Sequence, residues 1–266
     1  MDIIEVKSEK DRDYERYEHL LIKKESLLKD SASILVAYIK EFGELLTESF
    51  KEKIECIKLK KQIGYIQAII NKGQTVDIEA ISKIVENEME DYYQELQKMI
   101  QDSKSAQEST KSTKATVLKV KRLYREIAKK LHPDINPRTK DDERLSELWY
   151  RVCIAYRENN IKTLDELKFL VDKELANGGL GNEKITIPDI KEKITDLENE
   201  IDHIVNNDPY RYKDIISDSN LIKEKKAEII EEIKKYVEYK KSLKDILEEL
   251  KNEGNEGEAG INWLRN

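Results

Sequence analysis

His132 and Asp134, separated by Pro133, are the residues of this 266-residue chain best suited by type and spacing to chemistry. An imidazole and a carboxylate two positions apart suit proton transfer or a shared metal ion, provided a further ligand or a reacting group stands close by. The sequence supplies neither. His19 and His203 fall in unrelated helical stretches, and Cys56 and Cys153 lie far apart with no second thiol or histidine at ligand spacing. Gly178-Gly-Leu-Gly181 neither follows a strand pattern nor precedes a lysine and hydroxyl pair, so it reads as a linker and not as a phosphate loop. The expectation is a protein that is not an enzyme, holds no metal and no cofactor, and keeps both cysteines as small buried residues.

The elements that must carry His132 and Asp134 are helical. With 39% charged residues, only nine Gly, four Pro and three Phe, and much Glu, Lys, Ile and Leu, the chain has the composition of long helices and coiled coils. Thirteen Tyr suit helix interfaces in which a ring packs while its hydroxyl stays hydrated. A net charge of −7 argues against nucleic acid or an anionic membrane as the main partner. No apolar run approaches a bilayer span, and Met1-Asp-Ile-Ile-Glu-Val lacks the pattern of a signal peptide, which points to the cytoplasm.

From about Asp13 to Asn71 the residues Tyr14, Tyr17, Leu21, Leu28, Leu35, Tyr38, Phe42 and Leu45 recur at helical spacing, which predicts one very long helix or two joined near Asp30-Ser31. Gly73 is placed to end it, and Thr75 or Asp77 to cap a helix carrying Ile78, Ile81, Val85, Tyr92, Leu96 and Met99. A long N-terminal hairpin over residues 12–101 follows. Residues 102–116 have no apolar periodicity and read as a linker, 117–176 as a small helical domain, and 177–186 as a second linker. Pro188 suits the first turn of the next helix, whose seam is Ile187, Ile190, Ile194, Leu197, Ile201 and Ile204. Asn206-Asn-Asp-Pro-Tyr210 ends that helix. Ser217-Asp-Ser-Asn220 starts another, with Ile222, Ile229, Ile233, Tyr236, Leu243, Leu247 and Leu250 on its seam and Lys226 and Lys240 at the remaining seam positions. The two are expected to form a C-terminal antiparallel coiled-coil hairpin over 187–251, before a flexible tail over 252–266 with Trp263 in a small apolar patch.

Within the central domain, Val120, Leu123, Tyr124, Ile127 and Leu131 share one helix face, while Lys121, Arg122, Arg125, Lys129 and Lys130 surround it with Glu126 as the lone acid. Pro133 disfavours helical geometry at His132 and so ends this helix. Thr139 and Asp142 then suggest a capping box for a helix bearing Leu145, Leu148, Trp149, Val152, Ala155 and Tyr156. Asn159-Asn160 ends it, and Thr163-Leu-Asp-Glu166 suggests a box for a last short helix. Antiparallel packing of the first two would leave His132-Pro133-Asp134 on an exposed tip.

Residues 117 to about 160 resemble the J-domain of DnaJ-type co-chaperones. The resemblance rests on His132-Pro133-Asp134 and its surroundings: Leu123-Tyr124-Arg125, Ile127-Ala128 and Leu131 upstream, then Asn136-Pro137, Trp149, Val152 and Ala155-Tyr156. It implies that His132, Pro133 and Asp134 stimulate ATP hydrolysis by a DnaK-type (heat-shock protein 70) partner, with Lys121, Arg122, Arg125 and Lys130 as the basic docking face and Tyr124 beside them. Charges at such a rim steer and orient a transient complex more than they tighten it. The chain departs from the family at Ile135, where a basic residue is usual, and in having no tyrosine-rich first helix directly upstream. Asp91-Tyr92-Tyr93-Gln-Glu-Leu96 is either that helix, beyond an expanded loop, or part of the N-terminal hairpin's seam. Neither a Gly/Phe-rich region nor Cys-x-x-Cys repeats occur. The expected architecture is all-α, with long coiled-coil-like hairpins flanking a J-like domain. The hairpins would recruit an unknown client protein or drive self-association. The competing expectation is a coiled-coil scaffold whose J-like segment has degenerated.

Overall fold

The computed structural model describes residues 9–109, 112–177 and 187–263, of which 177 and 253–263 are described as backbone only. The fold is all-α: every regular element among the described residues is a helix. In chain order these are α1 (Glu9–Ile70), α2 (Ile78–Glu88), α3 (Glu90–Glu108), α4 (Lys114–Leu131), α5 (Arg138–Asp141), α6 (Glu143–Arg157), α7 (Ile161–Asn177), α8 (Ile190–Asn206), α9 (Tyr212–Ile216) and α10 (Ser219–Trp263). No described helix is long and apolar enough to cross a membrane.

The chain divides into two compact units, each assembled from two separate stretches: the chain up to Leu35 with the stretch ending at Tyr212, and Val36–Ser109 with the stretch from Lys213 onward. This corrects the expectation of contiguous domains. Its cause is the unbroken 62-residue helix α1, whose two parts supply packing surface to different units.

In the unit that begins at Val36, Gly73 takes the left-handed conformation (φ +63°) after α1, and Asp77 caps α2 by accepting from the Ala80 N–H at 2.9 Å. The single helix expected from Ile78 onward is interrupted at the fully buried Met89. The return along α1 is antiparallel: Lys58 pairs with Glu86, Lys61 with Glu88 at 2.5 Å, and Lys40 reaches the carbonyls of Gln107 (3.2 Å) and Ser109 (3.0 Å). Most of the expected linker 102–116 is therefore helix, with α3 running to Glu108 and α4 starting at Lys114. Small residues hid this contact. Ser103 and Ala106 are buried, and a Cβ on Gly43 would lie 2.8 Å from Ser103 Oγ, so the two backbones approach closely without any large apolar stripe.

Helix α10 runs parallel to α1. Lys226 meets Glu41 at 2.5 Å, Glu232 accepts from Ser49 at 3.1 Å, Cys56 lies 3.4 Å from the Tyr236 carbonyl, and Lys240 pairs with Glu52. Its seam residues Leu243, Leu247 and Leu250 join Ile54, Leu59 and Ile66 of α1 and Ile81, Val85 and Met89 in one apolar cluster. The α8 seam is buried elsewhere, in the other unit, so the expected mutual α8–α10 hairpin is not what buries these stripes. The backbone of α10 continues to Trp263, past the expected end at Lys251, whereas the Trp263 side chain and most of the expected linker 177–186 lie outside the described residues.

In the unit that begins the chain, α4, α6 and α7 pack against one another around Val120, Leu123, Ile127, Leu131, Val152, Leu164 and Leu167. Asp142, not Thr139, caps α6, accepting from Arg144 and Leu145 N–H groups, and Asn160 caps α7 by accepting from Thr163 N–H at 3.1 Å. Thr139 is itself buried. Helix α8 runs parallel to the first part of α1: Glu9 pairs with Lys191, Arg16 with Glu198 and Lys24 with Glu200, at 2.6–2.7 Å. Tyr17, Leu20 and Leu21 face Ile194, Leu197 and Ile201. Pro188 precedes this helix, and Asp189 enters it in a left-handed conformation (φ +53°).

Replacing Gly43 by leucine sets helix propensity, which favours leucine by about 0.5–1 kcal/mol, against the packing of Ser103. The contact should win: Gly43→Leu is expected to lower stability by about 1–3 kcal/mol, read from the urea midpoint.

Candidate partner-docking site

Helix α4 ends where Pro133 follows His132, whose backbone turns to the extended region (φ −61°, ψ +129°). The loop closes on itself through His132: its carbonyl accepts from the Ile135 and Asn136 N–H groups at 2.9 and 2.7 Å. Asn136 Nδ2 donates to the Lys130 carbonyl at 3.0 Å, satisfying one of the carbonyls left open at the helix end.

His132 is buried, 7% exposed, with its ring edge-on to Trp149 at a centroid distance of 4.8 Å. Trp149 packs against Tyr124 at 5.8 Å, and Tyr124 stacks on Tyr156 at 3.8 Å with the rings 14° from parallel. Over the far face of Tyr156 sits the Lys29 ammonium of α1, 4.4 Å from the centroid and 2.5 Å from the Tyr156 carbonyl. Four rings and a cation thus link α1 to the loop.

His132 Nδ1 accepts from the Asp134 N–H at 3.1 Å, so the neutral ring carries its proton on Nε2. Burial pushes the His132 pKa down to about 4, against the favourable charge of Asp134. Asp134 is exposed and ion-paired to Lys140 at 2.9 Å; partial burial raises its pKa, but the Lys140 hydrogen bond and the charges of Lys140 and Lys193 outweigh this and hold it below the usual carboxylate range. Burial pushes the Tyr124 and Tyr156 hydroxyls up and the Cys153 thiol up to about 11, so none of the three ionises near neutrality.

Of the residues expected to form a docking face, Asp134, Arg122, Arg125 and Lys130 are exposed and Pro133 is half-buried. Lys130 is paired with Asp172 of α7 at 2.7 Å, and Lys121 is held by both Asp30 carboxylate oxygens at 2.7 Å. Tyr124 is 2% exposed, which corrects its expected place beside the basic residues: it is an interior ring. Ile135, the departure from the family pattern, is 1% exposed and packs with Tyr17, Leu20 and Leu21 of α1 and Ile187, Ile194 and Leu197 at α8. Apolar burial explains why no cation stands there. Tyr92 and Tyr93 pack in the α1–α2–α10 cluster, so the tyrosine-rich stretch belongs to the hairpin seam.

The residues that sequence reasoning missed are on α1. Glu18, Ile22, Glu25 and Lys29 recur at four- and three-residue spacing along one face, followed by Asp30. Glu18 pairs with Lys129 at 2.6 Å, Ile22 enters the α4–α6–α7 core, and Glu25, its pKa raised by burial, bears electrostatically on Tyr124, Cys153 and Tyr156. The spacing was present, but with one apolar residue in four it reads as a solvated face. Among the described residues no group of three or more His, Cys, Asp or Glu side chains is gathered to hold a metal. Comparison with family models, curated proteins and solved structures finds no match.

Two outcomes follow from the burial of the loop. The unfolded His132 takes up a proton below its ordinary value of 6.5, whereas the folded ring resists until about 4. The contribution is therefore fully present above 6.5 and is lost on acidification, by about 3 kcal/mol once the pH is below 4. Between pH 7 and 4.5 the wild-type urea midpoint should fall further than that of His132→Gln. Ile135→Ala should cost about 2–5 kcal/mol in the same assay, as for other buried aliphatic truncations.

Proposed function

We propose that this chain is a J-domain co-chaperone, which binds a DnaK-type (heat-shock protein 70) chaperone and stimulates its ATP hydrolysis. The observation that carries this reading is the antiparallel α4 and α6 pair with His132-Pro133-Asp134 at its tip, Asp134 exposed and ionised there, and Arg122, Arg125 and Lys130 exposed along α4. His132 serves this loop as a structural anchor wedged on Trp149, and Asp134 is the group offered outward. The chemistry belongs to the partner's ATPase, and the chain itself is not an enzyme. The long helices α1 and α10 present the surface for an as yet unidentified client or for assembly, in the cytoplasm.

A second reading, a coiled-coil scaffold with a degenerate J-like segment, is favoured by the burial of Ile135 under α1 and of Tyr124 within the ring stack. Steady-state ATPase of a DnaK-type chaperone separates the two. The full chain should raise the rate several-fold and Asp134→Asn, at an exposed position, should abolish the rise while leaving the melting temperature nearly unchanged. A rate that stays at the basal level with the wild type and with Glu18→Lys/Asp30→Lys alike decides for the scaffold.

A further inference from the structure

Lys121, Arg125 and Lys129 of α4 face Glu18, Ile22 and Asp30 of α1, whose Lys29 reaches Tyr156 of α6. The charges are complementary: Glu18 to Lys129 at 2.6 Å and Asp30 to Lys121 at 2.7 Å, on either side of Tyr124, which is buried against Tyr156 and Trp149. We propose that residues 14–30 of α1 are an internal occupant of part of the docking face, so that Lys121 and Lys129 become available to the chaperone only when this part of α1 is displaced, while Arg122, Arg125, Lys130 and Asp134 are exposed already. The inference rests on the co-chaperone reading and specifies its regulation.

The contact is built to be separable. Ile22 is the only α1 residue, among the described residues, in the buried cluster of the α4–α6–α7 bundle. The bundle's own core is closed by α7, which packs on both α4 and α6, so it keeps its apolar centre when α1 leaves. Beside Ile22, the polar contacts of α1 here include two ion pairs, Lys29 hydrogen bonds to the Tyr156 and Arg157 carbonyls, a Ser26–Tyr156 side-chain hydrogen bond and the Lys29 cation over the Tyr156 ring. In each pair one partner, Lys129 or Asp30, stays partly open to solvent while Glu18 or Lys121 is mostly covered, so water and salt reach the pair from one side and an incoming carboxylate can compete there. A partner that brings carboxylates to Lys121 and Lys129 replaces Asp30 and Glu18 like for like. The threshold is set at the loop end, where Tyr17, Leu20 and Leu21 must part from Ile135.

The test uses the full chain in the chaperone ATPase assay, comparing wild type with Glu18→Lys/Asp30→Lys, which sets like charges against Lys129 and Lys121. Amide hydrogen exchange over residues 14–30 reports displacement. The variant should exchange faster there and reach half-maximal stimulation at a roughly fivefold lower concentration, from the loss and reversal of two such pairs. Adding Asp134→Asn should remove the gain. If circular dichroism shows the double reversal to lose helix, Lys29→Met, which frees the Tyr156 carbonyl and ring, should give a smaller gain in the same direction. Faster exchange with stimulation equal to wild type overturns the masking and leaves the co-chaperone reading standing, as does exchange unchanged in both variants. No stimulation by any of the chains overturns both.

Discussion

The linear contact from Lys29 through Tyr156, Tyr124 and Trp149 to His132 is what the rest of the first unit depends on. Each ring comes from α4 or α6 or the loop between them, so the stack fixes the separation of the two helices and the pose of the loop at once. It also explains why His132 stays neutral: a ring buried against an indole, with its Nδ1 lone pair engaged by a backbone N–H, gains little from a second proton. The conformation of the tripeptide is thus a property of α6 and, through Lys29, of α1, and not of the loop alone.

How much of this was legible in the sequence follows from the kind of contact. Elements marked by large apolar periodicity or by a cap were readable: α1, the turn at Gly73, the Asp77 cap, α4 and its stop at His132. Contacts made by small or charged residues were not. The Gly43–Ser103 approach and the Glu18–Ile22–Glu25–Lys29 stripe bury surface without a hydrophobic signature, so α3 beyond Gln101 looked like linker and α1 looked unpartnered on that side. Partner choice was equally hidden, since a seam states that something covers it and not what. The α8 and α10 seams both read as halves of one hairpin, and both are covered by α1.

Because α1 serves both units, no contiguous stretch of the chain carries either of them. The α4–α7 bundle is the part whose core is most self-contained, and it is also the part that carries the tripeptide. Helix α8 and the first part of α1 close over Ile135, which gives the one residue that departs from the family pattern a structural role in place of an electrostatic one.

Lys226 and Lys240 interrupt the α10 seam, and each meets a carboxylate of α1. Leucine at both positions would bury more apolar area, yet it would also let α10 slide along α1 by a heptad at little cost. The Lys240 ammonium, mostly withdrawn from water, opposes such a shift, because seven residues either way along α1 it would face Leu45 or Leu59 in place of Glu52 with its charge unmatched. Lys240 therefore acts as a detent: it gives up some cohesion and in return resists longitudinal slip of a very long helix on its track.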